Sequence, residues 1–520
     1  MRLRRDGTLS IATSEIFFGI CKARRGFTVW QRAMPAPICS NIHRINEVQQ
    51  LLVEAFSFYA VAEISTTNNS IEQHKTLFSL AEPVFGKKIK VDFNAPDISS
   101  NGGFLLVRPS KDTLPSKMGR LIPDYRTLCL VRHSYEEMVC QRVNQILCGY
   151  EDANDCDRLR GDSALKMSVG LRPSDKDLCS QATMTRLENN VDSKTLYNIG
   201  KLFVEQYVKS FSKPPRHVIL DADDTNANTY GAQQLTLFNA YYNEYCYMPL
   251  LVFDGVSKKL ILPMLRPGRR NKSLNVSRIL RRVVEYLHEC WPNTVIELRG
   301  DNHFCSHEFM DWAWSKWYVR YLTGLSGNAK LLDMVDKPRR RAENDFKEAL
   351  ERVHGSESKD NVVIRRYFKL NYKAQSWKYE QRVIAKIEVS AKGTKIRFVV
   401  TKNKNNSPET IYKRYCKRGE MELWIKDVKY FKADRLSCNS YRANYFRLFL
   451  YAAAFVVAHM MKHKLFNGTA IENFTMDSFI KRIMLSAVYI VEKKTFIHVS
   501  FSQHHRHLEE LTVGLERLTA

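Results

Sequence analysis

Residues 217–223, HVILDAD, decide how this chain is read. A short apolar run leaves the proline-bearing segment SFSKPPR (210–216) and ends in acids, which is the pattern of a buried strand carrying carboxylates at its tip. Side chains alternate along a strand, so Asp221 and Asp223 share one face while Asp224 points elsewhere. Downstream, MPLLVFD (248–254) and KKLILPML (258–265) read as two further strands joined by a short glycine-containing turn, a hairpin. VSRILRRVVEYLHECW (276–291) has the apolar spacing of an amphipathic helix, and NTVIELRGD (293–301) is another strand ending in an acid. HEFMDWAWSKW (307–317) is helical and YVRYLTGLS (318–326) is a fifth strand. Three strands, a helix, a strand, a helix and a strand predict an α/β layer around a mixed sheet.

Working outward, residues 361–401 alternate as β-structure in VVIRRYFKLNY, RVIAKIEV and KIRFVVT. A composition break at DKPRRRAEN (336–344) marks this β-rich segment as an insertion. Two helices follow, YCKRGEMELWIKDVK (415–429) and the mostly apolar ANYFRLFLYAAAFVVAHMMKH (443–463). In the first, Tyr415, Arg418, Glu422 and Lys429 fall on one helical face beside an apolar stripe of Met421, Trp424, Ile425 and Val428. On the residues alone that face is either a solvated surface with an Arg–Glu pair or the edge of a site.

Upstream of the strand, residues 134–207 are helical, with Val139, Val143, Ile146, Leu147 and Tyr150 at helical spacing. KKIKVDF (87–93) and GFLLVRP (103–109) suggest strands, and INEVQQLLVEAFSFYAVAEI (45–64) a helix. The expected organisation is an extension of unknown role (1–83), a mostly helical DNA-binding region (84–213) and the first part of a catalytic domain (214–335). The β-rich insertion (336–408), the second part of the catalytic domain (409–465) and a C-terminal region (466–520) complete it.

The 520 residues hold 80 Lys and Arg against 55 Asp and Glu, a net charge of +25 that favours a polyanionic partner, nucleic acid before membrane. Twelve cysteines stand without a CxxC pair and read as reduced core residues of a cytosolic protein. His303, Cys305 and His307 have neither zinc-finger nor HExxH spacing. The apolar run FLYAAAFVVAHMM (449–461) is too short to span a bilayer, and residues 1–30 lack the pattern of a signal peptide.

Three carboxylates on separate elements, at DADDT, RGDNHF and Glu422, would repel one another unless a cation neutralises them. Magnesium, which takes oxygen ligands, is the expected cation, with manganese as its substitute. A pair of such ions can serve an in-line attack on a phosphodiester.

These segments also resemble a known family. LDADDTNANTYGAQQLTLFNAYYNEYCYMPLLVFDG, LRPG (265–268), WPNTVIELRGDNHF and LSGNAKLL are similar to consecutive signatures of DDE transposases of insertion-sequence family 1380. So are the upstream QRVNQILCGYEDANDCDRLRGDSALK and SQATMTRLEN and the downstream SWKYEQRVIAKIE, YCKRGEMELWIK and ADRLSCNSYRANYFRLFL, in the family's order from about residue 84 onward. Tyr230 and Asn302 depart from the pattern, where histidine and serine are usual.

The resemblance implies a ribonuclease-H-like domain with a β-rich insertion. It also implies metal-binding catalytic acids at Asp223, Asp301 and Glu422, while Asp221, on the same strand face as Asp223, is a candidate extra acid. Tyr415, Arg418 and Lys429 would grip the phosphates of a transposon end. Trp377 is expected either to stack on a displaced base, with Arg382 and Lys386 holding nearby phosphates, or to anchor the insertion's core. Arg266, Arg269, Arg270 and Lys272, and the run at Lys337 and Arg339 to Arg341, are either DNA contacts or solvated loops. The implied activity is excision of an element at its terminal inverted repeats, through a hairpin, and joining to target DNA. A homodimer at the nucleoid would carry it out. A catalytically silent DNA-binding derivative and a metal-dependent nuclease without strand transfer are the rival readings.

Overall fold

The computed structural model describes residues 97–107, 110–269, 276–352 and 361–519, together with the strand residues 78–79 and 90–91. The described residues divide into two units between Ala95 and Pro96. In the first, Phe78–Ser79 pairs antiparallel with Lys90–Val91. The helix expected at 45–64 lies outside the described residues.

The second unit begins with helices. Ser134 starts α1 (Tyr135–Leu147), its side chain accepting from the Glu137 amide, and Asp192 does the same for α2 (Ser193–Lys209) through Thr195. Between them Glu188, on the helix Gln181–Asn189, is clamped by Arg142 at 2.9 Å and Arg447 at 2.7 Å. Where GFLLVRP suggested a strand, Gly102–Leu106 is a 3-10 turn. A Cβ on Gly103 would stand 2.3 Å from the Met484 Cα, so only glycine permits this close approach.

The central sheet follows in chain order: β1 (His217–Asp224), β2 (Leu250–Asp254), β3 (Leu260–Met264), β4 (Val295–Gly300) and β5 (Val319–Leu325). Two helices, α3 (Val276–Cys290) and α4 (His307–Trp314), form the links flanking β4. Three more strands, β6 (Val363–Tyr372), β7 (Gln381–Ser390) and β8 (Gly393–Thr401), come after α5 (Asp336–Glu351). The sheet order is β6-β7-β8-β5-β4-β1-β2-β3, with β1, β4 and β5 parallel and all other pairs antiparallel. The β-rich segment therefore extends the central sheet through β8 on β5.

The register of β4 on β1 has a direct consequence. Gly300 lies opposite Ala222, so the next residues, Asp301 and Asp223, emerge at one level of the sheet edge. One residue earlier, Arg299 faces Asp221.

The segment expected as one helix over 415–429 is broken. Helix α6 (Pro408–Cys416) passes into a 3-10 turn at Lys417–Glu420 and resumes as α7 (Met421–Tyr430). Gly419, which weakens a helix interior, sits in the break. The apolar stripe survives: Met421, Trp424, Ile425 and Val428 are all buried. The apolar run at 449–461 belongs to a longer helix, α8 (Tyr441–Leu465), which by length and composition could cross a membrane. Most of it is buried in the fold, among them Phe446, Phe449 and Phe455. The ten cysteines among the described residues are free thiols.

Candidate active site

A cleft of about 1440 Å³ opens at the carboxyl ends of β1 and β4, with α7 as its opposite wall. Asp223, Asp301 and Glu422 all line it. Asp223 stands at the end of β1 and is half-buried. Asp301 caps a 3-10 turn, its Oδ1 accepting from the His303 amide at 2.8 Å. Glu422 is exposed in the first turn of α7, where the helix dipole favours a carboxylate. Gly324 on β5 makes the close fit possible, since a Cβ there would lie 2.8 Å from both the Asn302 amide and the Tyr415 hydroxyl.

Negative charge is crowded here. Burial pushes the Asp223 carboxyl up to about 6; Arg418 pulls against that, while Asp301 and Asp224 add to it. The Arg418 guanidinium donates to the Asp223 Oδ2 at 2.8 Å. His303 Nδ1 lies 3.3 Å from Asp301 and 3.9 Å from Asp224, and Arg266 also binds Asp224. The three expected ligands offer oxygen only, the donor chemistry that magnesium or manganese takes, and a cation would relieve the crowding. In the arrangement described, Arg418 does this for Asp223. Among the described residues no group of three or more His, Cys, Asp or Glu stands close enough to hold a metal, so ligation requires these side chains to turn inward.

Asp221, the candidate extra acid, does not join them. It is fully buried and bound by Arg299 through two hydrogen bonds of 2.5 Å, and the same guanidinium donates to the Arg414 carbonyl at 2.8 Å. Glu297 on β4 is likewise buried and paired with Arg414 at 2.8 Å.

The expected phosphate-gripping residues divide. Arg418 and Lys429 line the cleft, Lys429 donating to the Asn226 carbonyl at 3.1 Å. Tyr415 stands behind Arg418, where burial raises its hydroxyl above the ordinary value. Arg266 and Arg269 line the cleft; Arg270 and Lys272 lie outside the described residues.

The residues named in the β-rich segment are engaged in contacts of their own. Trp377 is 7% exposed and packs edge-on against Tyr372 at 5.4 Å, so it is a core residue in this arrangement and offers no free face for a base. Arg382 donates to the carbonyls of Asn403 at 2.9 Å and Asn406 at 2.7 Å, pinning the turn after β8. Lys386 is held 2.6 Å from Glu388, whose carboxyl Lys386 and Arg365 pull down to about 2. In the basic run after residue 336, Arg339 and Arg340 pair with Asp336 at 2.6 and 2.9 Å.

Two features of the cleft escaped the sequence. Lys426 lines it one turn from Glu422, a spacing that was available to read. Phe238, Tyr241 and Tyr242 line it from a hairpin between β1 and β2, signalled by the aromatic-rich LFNAYYNEY.

A family model described as transposase DDE domain group 1 matches residues 81–520. The cryo-EM structure of a piggyBac transposase synaptic complex with hairpin DNA is similar at 10% identity and a TM-score of 0.38, covering 74% of this chain and 80% of that one. No curated protein matches the chain.

Proposed function

The chain belongs to the transposase DDE domain group 1 family and is a DNA transposase, and from that premise we propose how its cleft works. It binds the terminal inverted repeats of its own element, of the insertion-sequence family 1380 kind, excises the element and joins the freed 3′ ends to target DNA. The observation that carries this reading is the convergence of Asp223, Asp301 and Glu422, from three separate elements, on one cleft edged by Arg269, Arg418, Lys426 and Lys429. The order β3-β2-β1-β4-β5 within the sheet supports a ribonuclease-H-like domain.

In this reading Asp223, Asp301 and Glu422 would hold magnesium or manganese, and the bound cation would supply activation of the attacking water or 3′-hydroxyl and stabilisation of the leaving oxygen. Arg418 neutralises Asp223 until DNA arrives and then turns to the phosphate. Lys429 and Arg269 position the flanking backbone without reading its sequence. The His303 amide donates to Asp301 Oδ1 at 2.8 Å and fixes the loop after β4, which keeps the second acid level with the first. Double-strand breakage by one kind of site proceeds through a hairpin at the element end, within a homodimer that acts at the nucleoid.

The test is incubation of the full chain with magnesium and duplexes taken from the DNA flanking its reading frame. Nicked, hairpin and joined products are expected. Nicked products that never join would favour a nuclease, and tight binding without cleavage would favour a silent DNA-binding derivative.

A further inference from the structure

Phe238, Tyr241 and Tyr242 line the cleft from one hairpin. A small three-stranded sheet, Ala227–Asn228, Leu237–Asn239 and Glu244–Tyr247, projects between β1 and β2. Its hairpin pairs Phe238 with Tyr245, whose rings meet edge-on at 5.6 Å. The turn is built in. Asn239 Oδ1 accepts from the Tyr241 amide at 3.0 Å and the Tyr242 amide at 3.4 Å, and Asn243 takes the left-handed conformation at φ 54°. Asn239 Nδ2 also donates to the Gly268 carbonyl at 2.7 Å. A Cβ on Gly268 would come within 2.1 Å of the Cys246 carbonyl oxygen, so the RPG loop can lie against the hairpin only with glycine there. The backbone is thus fixed while the rings are left uncovered: Tyr241 is 88% exposed and Phe238 46%.

A rigid turn that presents bare rings inside a charged cleft calls for a flat, partly apolar ligand. Basic side chains, Arg269, Lys426 and Lys429, line the same cleft. Rings for bases beside cations for phosphates is the composition of a single-strand binding groove. We propose that Phe238 and Tyr241 form a stacking platform for an unpaired nucleobase of the DNA held in the cleft. The assignment rests on the transposase reading and adds to it which residues receive a base once the duplex is opened beside the cut phosphate. Trp377, buried against Tyr372, cannot fill that place without leaving its core.

The experiment uses the full chain without divalent metal and two fluorescent duplexes of one sequence, taken from the DNA flanking the reading frame. One duplex is fully paired and the other carries unpaired nucleotides at its terminus. Wild type is expected to prefer the splayed duplex by roughly tenfold, within the range of base–aromatic stacking. Tyr241→Ala, at a side chain too exposed to endanger folding, should lose most of that preference while binding the paired duplex as before. Phe238→Ala should add to the loss, and Tyr241→Trp should restore the preference. A preference that survives the double substitution would overturn the proposal, as would a wild type that does not discriminate. So would a double variant that changes only the oligomeric state, which would make the patch a contact between two copies. Failure of wild type to bind even the paired duplex would overturn the transposase reading as well, and this control separates the two.

Discussion

Replacing Asp221 by alanine should damage the fold rather than the chemistry. Asp221 and Arg299 are 0% and 2% exposed and face each other across β1 and β4. Removing the carboxylate takes away two 2.5 Å hydrogen bonds and leaves a buried guanidinium with the Arg414 carbonyl as its hydrogen-bond partner. Breaking a buried pair on one side costs about 3–5 kcal/mol, because the surviving charge is stranded away from water. Gly255 tightens the constraint, since its Cβ would lie 2.6 Å from Asp221 Oδ2. Asp221→Asn keeps an acceptor and should cost less, about 1–3 kcal/mol. The double change Asp221→Ala with Arg299→Met should recover much of the loss, as replacement of a buried pair by apolar groups often does. Urea unfolding followed by tryptophan fluorescence measures these differences, with DNA cleavage normalised to the folded fraction. An Asp221→Ala protein as stable as wild type yet unable to cleave would refute the reasoning and make Asp221 a ligand in place of Asp223.

Three further outcomes are expected. Trp377→Ala should cost about 3–5 kcal/mol of stability by leaving a cavity in the core. Its cleavage defect should track the unfolded fraction, and a folded variant that accumulates nicked ends would contradict this. Burial pushes the Glu188 carboxyl up, but Arg142 and Arg447 outweigh that and hold it below its ordinary value. Such a carboxylate gives stability that is complete above an unfolded value of about 4.3 and fades as pH falls through the lower folded value. The stability gap between wild type and Glu188→Gln should therefore narrow only below about pH 4.3, and a pH-independent gap would be the contrary result. Binding of end duplexes should weaken steeply with salt, and Arg269→Ala or Lys429→Ala should lower the log–log slope by about one. An affinity indifferent to salt would speak against a DNA-binding cleft.

Strands were legible where apolar runs met clear punctuation, as in HVILDADD after a proline-bearing linker. The acids at their tips were legible because strand ends present side chains at a sheet edge. What separated Asp221 from Asp223 was not legible. It depends on the register that sets Arg299, 78 residues away, against one and not the other. The broken helix around Gly419 was hidden because the apolar stripe of α7 keeps its period on one side of the break. Trp377 shows a further limit: its surroundings come from Tyr372 across a turn, and sequence spacing alone left its burial open. GFLLVRP misled because an apolar run around paired glycines serves a tight buried turn as readily as a strand.

The central claim is that Asp223, Asp301 and Glu422 act together in one cleft on DNA. Its most direct test compares cleavage and binding of end duplexes, with magnesium, by wild type and by the three single alanine variants. The account predicts that each variant loses strand cleavage by at least about a thousandfold, since a metal site lacking a ligand fails as a unit, while binding the duplex within about threefold of wild type. A folded variant at any of the three positions that cleaves at the wild-type rate would contradict it.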